Sequence, residues 1–309
     1  MTAHPRQGRR PDPLAPILRD LPLRAGGFIV TLYGDVVAPR GGEVWIGNII
    51  EACAAVGISE TLVRTAVSRL VAAGQLVSRR IGRRGFYRLA PAAEAEFAAA
   101  ARAIYGPEDP CGWRFVVLPE AEAEALMPEL ERSGHARLRA HLAFGPARAA
   151  LPAGVLAFAA RPAGALPLLA GFAAGAYDLG HHARAYDAFR ARFAPLQAGA
   201  PRLTGAPALT ARLALVHAYR QVLLRDPRLP PEALPADWSG HAARRLFARL
   251  YLALSPAADS HVAAQFEAAA GPLAATTAIT SARLAALEGD AGSRESAPDQ
   301  GLAAEDLHE

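Results

Sequence analysis

Apolar positions recur at helical spacing from Leu23 onward. Phe28, Ile29, Leu32 and Val36 share one face before Pro39, Gly41 and Gly42 break the pattern. A second stripe, Ile46, Ile49, Ile50 and Cys53, predicts a helix that starts at Trp45 and is ended by Gly57. After Ile58 alone, Ser59 stands at an N-cap position with Glu60 in the first turn, where a carboxylate suits the helix dipole. The helix that follows carries Val63, Ala66, Val67 and Leu70 on its apolar side and is closed by Gly74. At 100° per residue, Thr61, Arg64, Thr65 and Ser68 gather opposite, with Arg69 at the flank. The period then changes to that of strands. Leu76–Ile81 reads as a strand, Gly82–Gly85 as a turn and Phe86–Leu89 as the return strand, a hairpin with five arginines and no acid.

Helix, short turn, helix and basic hairpin is the order of a winged helix-turn-helix. A major groove accepts a helix face of hydroxyls and guanidinium groups, and a cationic wing follows phosphates or enters the minor groove. The residues placed at DNA are therefore Ser59, Thr61, Arg64, Thr65, Ser68 and Arg69 on the helix and Arg79, Arg80, Arg83 and Arg84 on the wing. The helix face read alone is equally an ordinary solvated surface; it is the hairpin beside it that favours DNA.

Farther along, Gly112–Leu118 reads as a strand and Glu120–Ser133 as a helix with Ala123, Leu126, Met127 and Leu130 on one face. Short apolar stretches at 142–144, 154–160 and 171–174 complete a βαββαβ order, that of a ferredoxin-like domain. Residues 184–289 read as helices, with stripes Tyr186–Phe189–Phe193 and Leu209–Leu213–Val216–Tyr219–Leu223 and a short helix from Arg244 to Leu254. The class is a multidomain α+β protein. Its parts are a disordered arm at 1–22, a winged-helix head at 23–91, a ferredoxin-like middle domain at 110–178, an α-helical domain at 182–288 and a disordered acidic tail at 289–309.

Charge sharpens this division. All 33 cationic side chains are arginine. Residues 1–90 hold 13 arginines against 6 acids, net +7, and the remainder 20 against 23, net −3. A basic head on a mildly acidic body is built to meet a polyanion. Two cysteines, Cys53 and Cys111, are too few for a disulfide framework, and Cys53 falls on an apolar helix face as an inert thiol. Five prolines in the first 22 residues leave no signal-peptide pattern. The apolar run Leu151–Ala176 is interrupted by Arg161 and three prolines, so no membrane span is expected and the protein is placed in the cytoplasm.

With these residues in view, the chain resembles the phenylacetic acid degradation repressor family, the PaaX-like regulators. In the head, the resemblance rests on Val30-Thr31-Leu32-Tyr33-Gly34-Asp35, Pro39-Arg40-Gly41-Gly42-Glu43-Val44-Trp45, Gly57-Ile58-Ser59-Glu60, Val63 to Leu70, Gly82-Arg83-Arg84 and Tyr87-Arg88-Leu89. It continues in Val216-His217-Ala218-Tyr219-Arg220, Arg225-Asp226-Pro227 and Leu234-Pro235-Ala236-Asp237-Trp238. The resemblance implies a winged-helix head, a ferredoxin-like middle domain similar to small CRISPR-associated nucleases and a helical carboxy-terminal domain. It also implies repression of aromatic catabolic operons, with release by phenylacetyl-CoA.

The implied function is a ligand-responsive repressor that binds operator DNA as a homodimer, with no cofactor and no metal. An acyl-CoA effector needs arginines beside an aromatic recess, and Tyr219, Arg220, Arg225 and Trp238 are the candidates, Arg220 and Arg225 standing about one helical turn apart. Arg225-Asp226-Pro227 is otherwise an Asp-Pro turn with a satisfied ion pair. A nucleic-acid-binding enzyme is the rival reading. Its metal would need clustered acids, but Glu120, Glu122, Glu124, Glu129 and Glu131 lie along one helix as a solvated face, and His181-His182 reads as a surface turn. A third reading is a DNA-binding adaptor that senses nothing.

Overall fold

The computed structural model describes residues 14–107, 112–147, 150–161, 167–229 and 231–292. Part of the expected disordered arm is structured. Residues 15–18 form α1 (Ala15–Leu18), and Leu14, Ile17 and Leu21 are buried, because three apolar side chains among the prolines find a surface on the helix that carries Arg192. That arginine donates to Ile17 O at 2.9 Å. Residues 1–13 and 293–309, the rest of the arm and nearly all of the tail, lie outside the described residues.

In the head, α2 (Ala25–Leu32) passes into a π-helical turn, Tyr33–Val37, and a 3₁₀ turn, Ala38–Arg40. Then come β1 (Glu43–Trp45), α3 (Ile46–Ala54), α4 (Glu60–Ala72), β2 (Leu76–Ile81) and β3 (Arg84–Leu89). Trp45, expected inside the second helix, closes β1 and is the N-cap residue of α3. Pairing with Phe86 draws its backbone into an antiparallel sheet of order β1-β3-β2. The hairpin turn is also shorter than the four residues expected. Ile81 pairs with Arg84, so only Gly82 and Arg83 form the loop, and Gly82 at φ 58° has the positive φ that the first position of a type II′ turn requires.

α5 (Pro91–Tyr105) leads to a four-stranded sheet of β4 (Trp113–Val117), β5 (Ala136–Arg139), β6 (Leu142–Pro146) and β7 (Leu156–Ala160), with α6 (Ala123–Arg132) between β4 and β5. The order is β5-β6-β4-β7, antiparallel throughout, with Phe115 paired to Phe144 on one side and Phe158 on the other. Two expectations for this region fail. The strand at 136–139 was not anticipated, although Arg137 and Arg139 alternate outward with Ala136 and Leu138 inward. The stretch 171–174, expected as a strand, lies within helix α7 (Pro167–Ala176), which a proline at its first position opens and an alanine-rich sequence sustains. The resulting order is βαβββα rather than βαββαβ.

The carboxy-terminal region contains α8 (Leu179–Phe193), α9 (Gly205–Leu223), α10 (Ser239–Gln265), a small hairpin of β8 (Glu267–Ala268) and β9 (Gly271–Pro272), and α11 (Ala278–Gly292). The short helix expected at 244–254 is the middle of α10. That helix runs through Pro256 with Leu254, Ala258 and Val262 all buried. The head does not close its core alone. Phe28, Leu32, Ile49 and Val67 share one apolar cluster with Leu209 and Leu213 of α9, Val262 of α10, and Phe266 and Leu273. Burying side chains of this size contributes roughly 1.5–3 kcal/mol each, which fixes the head on the helical region.

Candidate nucleic-acid interface

Two glycines set the angle at which α4 leaves the head. Gly57 (φ 82°) follows α3, with Ile58 N donating to Cys53 O at 3.0 Å and Gly57 N to Ala54 O at 2.9 Å. Gly74 (φ 69°) follows α4, with Gln75 N donating to Leu70 O at 2.9 Å and Gly74 N to Val71 O at 3.0 Å. Each pair of bonds is a Schellman closure, which stops a helix sharply. Ser59 occupies the N-cap position of α4 with extended backbone, although its side chain makes no capping bond. Val63, Ala66 and Val67 are buried, and Cys53 sits on the neighbouring helix with burial pushing its thiol up to about 12.

The opposite side of α4 is exposed at Thr61, Arg64, Thr65, Ser68 and Arg69. The structure also exposes Leu62, 56% accessible, which the sequence reading left out. An apolar side chain on such a face suits a thymine methyl group. Thr65 Oγ1 donates to Thr61 O at 2.9 Å, and Arg64 Nη2 pairs with Glu60 Oε1 at 2.7 Å, both partners well exposed. The single acid of this surface is thus neutralised within its own helix.

On the wing, Arg79, Arg80 and Arg83 are exposed, and Arg80 Nε donates to Gly82 O at 3.2 Å. Arg84 differs from these three. Its guanidinium grips both carboxylate oxygens of Glu267, one bond measuring 2.9 Å, and lies 4.2 Å from the centre of the Trp45 ring. Trp45 can lie there because residue 47 is glycine; a Cβ at that position would come within 2.3 Å of its ring. Arg84, grouped with the wing arginines from sequence, therefore joins the wing to the carboxy-terminal hairpin.

That hairpin holds the head at other points. Asn48 is buried, donating to Gln265 O at 2.8 Å and accepting from Glu267 N at 3.1 Å, while Ala269 N donates to Glu43 Oε2 at 3.0 Å. Beneath it lies a buried ionic network that no sequence motif announced. Asp35, in the π turn, accepts from Arg212 Nε (3.0 Å), Tyr105 OH (2.9 Å) and Tyr251 OH (2.9 Å). Arg212 and Arg40 both pair with Asp259, at 2.6 and 2.7 Å, and Arg283 donates to Asp35 O and Gly34 O. Burial would raise the Asp35 carboxyl, but Arg212, Arg283 and the two tyrosine hydroxyls outweigh it and hold it below the usual range. Nearby, His217 Nδ1 lies 2.9 Å from Thr31 Oγ1, and burial together with Arg220 drives the imidazole down to about 4.

The four residues suggested for an effector separate in space. Tyr219, stacked on Phe247 at 4.2 Å, and Trp238, edge-on to Tyr186, line one recess of about 290 Å³ with Arg228 and Arg244. Arg220 turns away, donating to Gly27 O and Thr31 Oγ1 at 3.2 Å, and so ties α9 to α2. Arg225 follows the end of α9, is exposed and does not line the recess. Asp226 is satisfied by Tyr186 OH (2.6 Å) and Arg228 N (2.6 Å), so the turn is held by an Asx bond and a tyrosine. His181 and His182 stand in the first turn of α8, capped by Asp178. The glutamates at 120, 122, 124, 129 and 131 are all exposed along α6 and the turn before it. Among the described residues no three His, Cys, Asp or Glu side chains come together as ligands, and no helix is long and apolar enough to cross a membrane.

Comparison with known proteins bears on both halves of the chain. The family model described as PaaX-like protein matches residues 24–93, and the one described as PaaX-like protein C-terminal domain matches residues 177–264. The transcriptional repressor PaaX of Escherichia coli is 32% identical over 282 residues, covering 82% of this chain and 88% of that protein. An uncharacterized protein from Mycobacterium tuberculosis has a solved structure with 23% identity and a TM-score of 0.48, covering 77% of this chain and 98% of its own.

Proposed function

The chain belongs to the PaaX-like family of transcriptional repressors, and from that premise we propose that it is a ligand-responsive repressor that binds operator DNA through the exposed face of α4 and the wing. The observation that carries this is the surface itself. Thr61, Arg64, Thr65, Ser68 and Arg69 stand free of the core beside a hairpin whose Arg79, Arg80 and Arg83 have no acidic partner among the described residues. Base edges are read from such a helix face, and phosphates are held by such a wing. The protein acts in the cytoplasm as a homodimer, which presents two heads to two half-sites, and it works by occupancy rather than by catalysis. Its regulated genes serve aromatic-acid catabolism of the phenylacetate type, and an acyl-CoA thioester such as phenylacetyl-CoA releases it.

The test is a mobility-shift titration of the DNA upstream of the protein's own coding sequence, with and without phenylacetyl-CoA, coenzyme A alone and free phenylacetate. A shifted complex that phenylacetyl-CoA dissolves supports the whole reading. A complex that no thioester disturbs leaves a repressor without this effector. The absence of any sequence-preferring complex overturns the DNA-binding assignment.

A further inference from the structure

A cavity of about 570 Å³ lies where the head, α5 and α11 meet. Its walls are apolar: Leu89 at the end of the wing, Phe97, Ala98 and Ala101 of α5, and Ile279 and Ala282 of α11. Ile279 remains 52% accessible although its side chain faces this hollow. An isoleucine left open on a helix that otherwise packs on α10 and α5 means that the wall is unfilled, not absent. Arg88 and Arg102 also line the cavity, and neither has an ion-pair partner among the described residues; Glu94 is the single acid beside them. The volume falls in the range of small-molecule sites, and an apolar hollow with a few polar groups is the usual composition of such sites.

We infer that this cavity is the effector site, and that it takes an apolar organic anion: an aryl or acyl body against α5 and α11, with its carboxylate or phosphates held by Arg88 and Arg102. The inference rests on the ligand-responsive reading above and locates it. The recess at Tyr219 and Trp238 is smaller, about 290 Å³, and its Arg244 already donates to Ile104 O, Gly106 O and Asp290. The cavity at α5 also touches the parts that must move. Arg88 and Leu89 belong to β3 of the wing, and Gly41 and Gly42 precede β1. On the far side, Arg283 of α11 holds the carbonyls of Gly34 and Asp35. A ligand wedged between the wing and α11 contacts both sides of the joint that sets the head on the body. It changes DNA occupancy to the extent that it prefers one setting of that joint.

The experiment is calorimetric titration of the intact protein with phenylacetyl-CoA, coenzyme A and phenylacetate. Ala98→Trp fills the cavity from an exposed helix position. Arg88→Ala with Arg102→Ala removes the anion partners without filling it, and serves if the tryptophan perturbs folding. Arg228→Ala challenges the other recess. The expected result is binding of phenylacetyl-CoA or phenylacetate to the intact protein, weakened at least ten-fold by Ala98→Trp and by the double arginine variant and unchanged in Arg228→Ala. Tighter binding of the thioester than of the free acid assigns the arginines to phosphates; the reverse assigns them to a carboxylate. Binding unaffected by both cavity variants, or lost only in Arg228→Ala, overturns this location while leaving an effector-responsive protein. If the intact protein binds none of the three probes, the location and the effector reading fall together, and the DNA-binding assignment stands on its own.

Discussion

Side chains of one type, a few positions apart, do different work here. Arg83 and Arg84 are neighbours, yet the first sits at the tip of the hairpin and the second, in β3, is turned back onto Trp45 and Glu267. Their places cause this: Arg83 lies in the two-residue turn, whereas Arg84 opens β3 and is fixed there by its pairing with Ile81. Arg83→Ala should therefore remove one phosphate contact and reduce the magnitude of the log–log salt slope of DNA binding by about one. Arg84→Ala should alter affinity through wing placement with little change of slope. Equal slope changes in the two variants would return Arg84 to the phosphate-contacting set. The measurement is affinity for one duplex across a salt series. Arg64 shows the complementary point: its pairing with Glu60 at 2.7 Å is exposed, so that DNA has little to displace.

At the scale of elements, the head was legible because its signals are local. Gly57, Ser59 and Gly74 bracket α4, and the switch from helical to alternating pattern at Leu76 marks the hairpin. The middle sheet was less legible. Alanine fills strand and helix positions alike in residues 136–176, so no pattern marks the strand Ala136–Arg139 and part of the helix Pro167–Ala176 has the apolar run of a strand. The β8–β9 hairpin has two-residue strands, too short for any periodicity. Yet this hairpin braces the wing through Glu267 and the head through Asn48 and Glu43. Glu267→Gln should leave the melting temperature nearly unchanged, because the Arg84 pair is solvent-exposed, while amide hydrogen exchange in β2 and β3 quickens. Unaltered exchange in both strands would mean that the wing is held by its own turn and by Trp45 alone.

Over the whole molecule, head and helical region form one apolar cluster and one ionic network, and here the sequence had least to offer. Asp35 meets Arg212 across 177 positions and Arg40 meets Asp259 across 219, separations that no periodicity encodes. The four residues suggested for an effector lie apart for the same reason, since Arg220 donates to the carbonyl of Gly27 in the head. Stability should respond to acid through His217 at this joint and His135 in the middle domain. His217 and His135 are both buried, with imidazoles driven down to about 4 by burial and by a neighbouring arginine, against about 6.5 in the unfolded chain. The unfolded state thus binds more protons below pH 6.5, so stability is complete above that value and falls as the pH drops toward 4. Between pH 7 and pH 5 the loss should be at most about 2 kcal/mol per histidine, and His217→Gln should remove its share of the slope in urea titrations. Asp35, held low by its arginines, keeps its contribution until lower pH still. Stability independent of pH from 7 to 5 would refute the buried neutral imidazoles. The proposed recognition of operator DNA is tested most directly at Arg64, on the exposed face of α4. The measurement is anisotropy of the intact protein and of Arg64→Ala on the upstream duplex and on a random duplex of equal length, at one salt concentration. The wild type should strongly prefer the upstream duplex, and the variant should lose about 1–3 kcal/mol there with little loss on random DNA. Equal affinity of the wild type for both duplexes, or a variant that binds the upstream duplex as the wild type does, would contradict recognition of the operator by α4.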